Sequence, residues 1–343
     1  MVTSRDVARL AGVSQSTVSY VMSGRRSISA ETRRRVESAI AELAFQPNAG
    51  ARALKSQRTR VIGLVVPFGP DADTSGLLPF IETIANCARE QDHDILLVTR
   101  DEGSAGLTRL AARSLCDAIV LMDIETHDAR IPVAARLAVP VILIGLPAEP
   151  LGLPCVDLDF EQAGRLAVDH LAATGHDRIA LLGHPRPTVA REVNFVGRFR
   201  QGATAAAATH GLPCAVVDQP ERGPRGVSAA LDEVLRSGDH TIDGRLGLVV
   251  HDTEAVQPVL TAVAGRGHRP GRDLSVVGLC PDVLATGTTP PVTNVSLEPR
   301  DVSRRAMRTL FRLLDRDPTA AEAIEPVELI TPRLTRRRTT PPG

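Results

Sequence analysis

Gln15, Ser16, Ser19 and Tyr20 fall on the outer face of a short helix whose apolar positions are Val18, Val21 and Met22. Amide, hydroxyl and phenol groups spaced this way recognise a partner by hydrogen bonds and supply no strong nucleophile or base at neutral pH. Bond-making chemistry is poorly provided for elsewhere. His127-Asp128, His176-Asp177 and His251-Asp252 are sequence neighbours, and adjacency alone makes neither a catalytic nor a metal pair. Lys55 is the one lysine and has no GxxxxGK around it, which sets aside phosphate-loop and Schiff-base mechanisms. Cys87, Cys116, Cys155, Cys214 and Cys280 are far apart with no CxxC, so each is read as a small core residue in a reducing compartment. No catalytic residue, metal or cofactor is expected.

The polar face needs elements to hold it. Ser4 is placed to cap a first helix, with Asp6 in its first turn and Val7, Ala8, Leu10 and Ala11 on its buried side. Gly12 permits a sharp turn, and Ser14 can cap a second helix running through Met22, so Ser4–Ser23 fits a helix-turn-helix. A third helix is expected over Ala30–Ala44, with Val36, Ala39, Ile40 and Leu43 inward and Arg33, Arg34 and Arg35 outward. Charge supports a polyanionic partner for this head. Residues 1–60 carry eleven Lys and Arg against four Asp and Glu, whereas the remaining 283 carry 29 against 36. Gln46-Pro47 breaks the third helix, and Asn48–Lys55 is only about two turns long, marginal in water. Gly50 costs it roughly another 1 kcal/mol, so the segment is expected to order only when something holds it.

The ordered string DVARLAGVSQSTVSYVMSGRRSISAETRRRVESAIAELAFQPNAGARAL resembles the start of the lactose-repressor (LacI/GalR) family of bacterial transcription regulators, across residues 2–55. The resemblance implies roles. Gln15 and Ser16 would read base edges in the major groove, Gln15 by a bidentate pair with adenine. Tyr20 stands where the family often has arginine or histidine, and would touch a thymine methyl or a phosphate instead. Arg26 matches a position that reaches guanine. Thr17, Ser19 and the helix N-termini, Ser4 among them, would bind phosphates, which sets register without reading sequence. Leu54 would wedge into a central minor-groove step, with Asn48, Arg52 and Lys55 around it for backbone or base-edge contact.

From Arg60 onward, apolar runs alternate with helix-period segments. The runs are Val61–Val66, Ile95–Val98, Ala118–Met122, Val141–Ile144, Ile179–Leu182, Leu246–Val250 and Leu274–Val277; the segments between include Leu78–Glu90, Gln162–Ala173, Phe199–His210, Val227–Arg236 and Thr253–Gly265. Near-continuous apolar strands in such alternation mean parallel sheets covered on both faces. The pattern restarts after Cys155–Asp159, which implies two lobes, with the chain crossing back near 280–295 and again near 318–326. The resulting division is a helix-turn-helix domain over 1–46, a hinge over 47–59, a two-lobed α/β domain over 60–333 and a disordered basic tail over 334–343.

Ligands of open α/β sheets bind beyond the carboxyl ends of strands. That rule selects Phe68 and Asp73 after the first strand, Asp123 after the third, the Arg186–Arg200 region after the strand at Ile179, and Asp252 after Leu246–Val250. Phe68, Phe195 and Phe199 are the rings available to stack on a ligand. The resemblance continues more loosely here, in GHDRIA from Gly175, DLSVVG from Asp273 and PPVTNV from Pro290, and implies a periplasmic-binding-protein-like effector domain with a small ligand between its lobes. Asp252 matches the aspartate of an Asn-Asp motif that accepts sugar hydroxyls, with His251 replacing the asparagine. Arg198 lies near the arginine of an R-x-x-G motif, but Phe199 stands three before Gly202.

These observations point to a homodimeric repressor that binds a palindromic duplex operator and answers to a small ligand, with a carbohydrate (a sugar or sugar derivative) expected. No run approaches about 18 apolar residues and Met1–Arg5 lacks a leader pattern, so a cytoplasmic protein without membrane contact is expected. Two alternatives stay open: a solute-binding protein or enzyme with a vestigial head, and a ligand-independent architectural DNA binder.

Overall fold

The computed structural model describes residues 2–23, 28–45, 58–66, 74–99, 102–236, 245–315 and 325–341. The chain divides into two compact units, Met1–Arg60 and Val61–Gly343.

In the first unit, α1 spans Ser4–Ala11, α2 Gln15–Ser23 and α3 Ala30–Glu42. Thr3, not Ser4, sits at the N-cap of α1: its backbone N and its Oγ1 donate to Asp6 Oδ2 at 3.0 and 2.7 Å. Those bonds, led by the Thr3 hydroxyl, hold the Asp6 carboxyl below its ordinary value. Gly12 takes φ +64°, a backbone that L side chains rarely adopt, and turns the chain from α1 into α2. Val7, Ala8, Ala11, Val18, Val21, Val36 and Ala39 form the core, closed by Phe45. Leu10 and Met22, expected inside, are 47% and 37% exposed. Helices this short bury a narrow stripe, and Phe45 fills the space instead.

The second unit holds two six-stranded sheets. The first lobe comprises β1 (Val61–Val66), α4 (Thr74–Glu90), β2 (Asp94–Thr99), α5 (Gly103–Ala112), β3 (Ala118–Leu121), α6 (Ile131–Ala134), β4 (Val141–Ile144) and β5 (Cys155–Leu158). The second comprises α7 (Phe160–Ala173), β6 (Arg178–Pro185), α8 (Arg186–Ala190), α9 (Asn194–Thr209), β7 (Cys214–Gln219), α10 (Pro224–Arg236), β8 (Leu246–Val250), α11 (Val256–Gly265), β9 (Ser275–Leu279), α12 (Asp282–Gly287) and β10 (Thr293–Val295). The chain then returns through α13 (Pro299–Leu314) and β11 (Val327–Ile330) to the first lobe and ends at β12 (Leu334–Thr335) in the second. Strand orders are β11-β5-β4-β3-β1-β2 and β12-β10-β9-β8-β6-β7, parallel except that β12 runs antiparallel to β10. β1, β3, β4, β8 and β9 are buried almost throughout, as double-sided coverage requires.

The last two crossings differ from expectation. They fall after Val295 and between Ile330 and Leu334, because β11 completes the first sheet before the chain leaves it. The C-terminal stretch is also ordered through Pro341. Thr339 Oγ1 donates to Val276 O at 2.6 Å and accepts from Thr293 N at 2.9 Å, and Thr339 O accepts from Val276 N at 2.9 Å. Thr340 Oγ1 meets Thr293 Oγ1 at 2.9 Å and His170 Nε2 at 3.0 Å, while Arg337 reaches Asp282 at 2.9 Å. Polarity suggested a loose tail; buried hydrogen bonds make it a strap over the edge of the second sheet.

Gly202 has a packing reason to be glycine. A Cβ there would lie 1.9 Å from Glu161 O, and one at Gly164 would lie 2.2 Å from Phe199 O, so α7 and α9 cross backbone to backbone. Cys116, Cys155 and Cys280 are buried, Cys87 and Cys214 half-buried, and all five are free thiols.

Candidate functional site

The polar face of α2 is assembled by local hydrogen bonds. Ser14 Oγ accepts from Thr17 N at 3.2 Å and lies 2.7 Å from Ser16 Oγ and 2.8 Å from Thr17 Oγ1. Gln15 Nε2 donates to Ser4 Oγ at 2.7 Å, tying the first turns of the two helices together. Gln15 and Ser16 are exposed; Ser4, Thr17, Ser19 and Tyr20 are half-buried. The structure thus brings Ser4, Gln15, Ser16 and Thr17 into one patch at the junction of α1 and α2. Arg26, Asn48, Arg52, Leu54 and Lys55 lie outside the described residues.

A second cluster forms where strand ends of the two lobes face one another. Asp157, in β5, is buried and pairs with Arg198 Nη1 at 2.7 Å, while Arg198 Nη2 donates to Leu158 O at 3.1 Å. Burial pushes the Asp157 carboxyl up to about 6, outweighing the attraction of Arg198. Asp123 follows β3 with φ +57° and forms an ion pair with Arg191, whose Nε also lies 3.4 Å from Glu125 Oε1. Asp252 is buried at the end of β8. Its Oδ2 accepts from Gln219 Nε2 at 3.0 Å and its Oδ1 from Glu254 N at 3.2 Å, capping a single 3₁₀ turn.

Rings gather between these ion pairs. The His251 imidazole stacks on Phe199 with centroids 4.1 Å apart, His184 meets it edge-on at 4.5 Å, and Phe195 lies 5.5 Å from His184 and 5.9 Å from His251. Burial, reinforced by the His184 and Arg200 charges, holds the His251 pKa well below its ordinary value, so the ring is neutral at physiological pH. His251 Nε2 and Asn194 Oδ1 are buried without a hydrogen-bond partner among the described residues.

Residues 3–48 match the family described as bacterial regulatory proteins, lacI family, and residues 168–340 match the periplasmic binding protein-like domain. The chain belongs to the lacI family of bacterial regulatory proteins. Catabolite control protein A of Priestia megaterium is 27% identical over 341 residues, covering 94% of this chain and 96% of that one. A lac repressor dimer bound to operator and the anti-inducer ONPF shares the fold, with a TM-score of 0.83, 24% identity and 99% of each chain covered. A transcriptional regulator CelR–cellobiose complex aligns with a TM-score of 0.66 and 25% identity, over 99% of this chain and 100% of that one.

Within this lacI-family chain, three sequence-selected cleft residues take on partners of their own. Arg198 is matched by Asp157, Asp123 by Arg191, and Asp252 by Gln219. Phe68 and Asp73 lie outside the described residues. Phe199 is fully buried, so it backs His251 and offers no face to a ligand; Phe195 keeps some exposure. The strand-end pattern gave no pointer to Glu125, Asp157, His184 and Gln219, whereas Arg191 and Asn194 fall within the Arg186–Arg200 region expected to face the ligand. Asp157 left a usable signal: a carboxylate inside an apolar strand needs a buried partner. Asn194 stands three before Gly197, the spacing sought without success around Gly202.

Proposed function

We propose that the chain is a transcriptional repressor that binds a two-fold symmetric duplex operator as a homodimer. A small ligand, a sugar or sugar derivative, held between the two lobes controls it in the cytoplasm. The observation that carries this reading is the α1–Gly12–α2 arrangement, which presents exposed Gln15 and Ser16 together on a head of net positive charge. One such helix reads half a palindrome, and two copies read the whole. Gln15 and Ser16 take the base edges, Thr17, Ser19, Tyr20 and the N-terminus at Ser4 take the backbone, and Arg26 adds a guanine contact. Asn48, Arg52, Leu54 and Lys55 engage the minor groove.

The cleft favours an uncharged, hydroxyl-rich ligand. Arg191, Arg198, Arg200 and Arg222 each pair with a carboxylate, so these cations are already matched. His251 Nε2 and Asn194 Oδ1 remain as buried hydrogen-bonding groups, and an unmet buried group is costly, on the order of 1–3 kcal/mol. Asp252 holds Gln219 from the strand end and accepts from ligand hydroxyls. The lac repressor solved with operator and CelR solved with cellobiose support the pairing of DNA and sugar. Among the described residues no helix is long and apolar enough to cross a membrane.

Thermal melting with a panel of mono- and disaccharides, cellobiose included, tests the ligand class without requiring DNA. A ligand at about 100 times its Kd stabilises the folded chain by roughly 2.7 kcal/mol. We expect at least one saccharide to raise Tm and Asp252→Ala to abolish that rise. A panel with no effect removes the sugar assignment, and an undiminished rise in the variant removes Asp252.

A further inference from the structure

Besides the three chain crossings, the lobes are joined at a place where no chain passes. After β3, residues Ile124–Thr126 lie beside residues Glu192–Asn194, which link α8 to α9 in the other lobe. Thr126 N and Thr126 Oγ1 both donate to Glu192 O at 2.9 Å, and Asn194 N donates to Ile124 O at 3.1 Å. Glu125 and Val193 form a single antiparallel bridge pair. Ile124 and Val193 are 3% and 2% exposed, so the junction is dry at its centre. Arg191 closes its edge, bound to Asp123 and to Glu125 together.

The first-lobe side is held rigid from beneath. Arg130, buried, donates to Asp128 Oδ1 at 2.9 Å and Asp128 Oδ2 at 2.6 Å, and to the carbonyls of Asp123 at 2.8 Å and Met122 at 3.2 Å. Glu125 N donates to the same Asp128 carboxylate at 3.2 Å. Burial pushes the Asp128 carboxyl up, but the bonds and charge of Arg130 outweigh it and hold it below the ordinary value. The loop is therefore a fixed jaw, and Asp123, at φ +57°, presents its carboxylate from it. The other jaw starts α9, the helix that carries Phe195 and Arg198 into the cleft.

We propose that this junction is a latch that holds the cleft shut, with Arg191 as its charge-dependent bolt. This rests on the reading of the cleft as the ligand site: a ligand entering or leaving must part Ile124–Thr126 from Glu192–Asn194. The latch consists of two cross-lobe amides, one hydroxyl and two ion pairs of Arg191 with partial solvent access, with side-chain exposures of 33% for Arg191, 13% for Asp123 and 23% for Glu125. Such a contact opens without unfolding either lobe and weakens with salt.

Hydrogen exchange on the full chain reads the latch directly, with no ligand and no DNA. In the wild type, the Thr126 and Asn194 amides are protected, and 0.5 M sodium chloride speeds their exchange. Arg191→Ala raises exchange at both amides by about tenfold or more and removes the salt response, while β3 and β8 keep their protection. If β3 or β8 also loses protection, the paired variants Asp123→Asn and Glu125→Gln, which leave Arg191 in place, give the same readout. Equal exchange in wild type and variants, or no salt response in the wild type, overturns the latch. Neither result bears on operator binding, which is measured separately, so the latch and the regulator reading fail independently.

Discussion

The head and the body build their recognition surfaces in opposite ways. In the head, Ser4, Gln15, Ser16 and Thr17 come together within a stretch of fourteen residues, through bonds of helix caps and first turns. In the body, Asp157 meets Arg198, Glu125 meets Arg191 and Gln219 meets Asp252, pairs separated by 41, 66 and 33 positions. The lesson concerns where information sits. A surface made by one turn of helix is written in local spacing, whereas a cleft made by two sheets is written in topology. Local spacing also fixes the chemistry of DNA reading, since any duplex offers the same base edges and phosphates; the cleft has no such fixed partner.

If the contrast holds, the largest losses come from single changes in the head. Gln15→Ala should weaken operator binding about 10–100-fold, the equivalent of roughly 1–3 kcal/mol, and leave binding to unrelated duplex nearly unchanged. Leu54→Ala should act in the same selective way. Fluorescence anisotropy of labelled duplexes decides; equal losses on both DNAs would make these residues general polyanion contacts.

A body substitution should instead act on stability. Thr339→Val keeps side-chain volume but leaves Val276 O and Thr293 N without their hydroxyl partner, both at buried positions. We expect a loss of about 1–3 kcal/mol in denaturant unfolding of the body. An unchanged midpoint would return the C-terminal segment to the loose tail its composition suggests.

The smallest effect is one of pH. The Asp157 carboxyl titrates near 6 in the folded chain, against roughly 3.9 unfolded. A raised carboxyl binds more protons folded than unfolded, so its contribution is fully present below the unfolded value and is lost as pH rises through about 6. The difference in Tm between wild type and Asp157→Asn should therefore change between about pH 4 and 6 and stay flat above. A flat difference throughout would show that Arg198 keeps the carboxylate charged.

The same contrast explains what the sequence disclosed. The helix-turn-helix, the main apolar strands and the restart after Cys155–Asp159 were legible because each follows from local periodicity. The cap at Thr3 was missed by one residue, since Thr3 and Ser4 have equal capping chemistry. The strap at Thr339 and Thr340 was hidden because threonine, arginine and proline read as loop until a sheet edge supplies their partners. Asp123 and Asp252 were found at strand ends and Arg198 in the region that follows the strand at Ile179, but which group each would meet was not, because pairing depends on how α9 lies across the cleft. The search around Gly202 failed for a related reason: that glycine answers to the crossing of α7 and α9.

The most direct test of the central claim is selection of bound sites from random duplex DNA by the purified full chain. The account predicts an enriched two-fold palindrome, lost from the selected pool when Gln15→Ala replaces the wild type. Binding that is sequence-blind and disappears with added salt would contradict it and reduce the head to a basic surface.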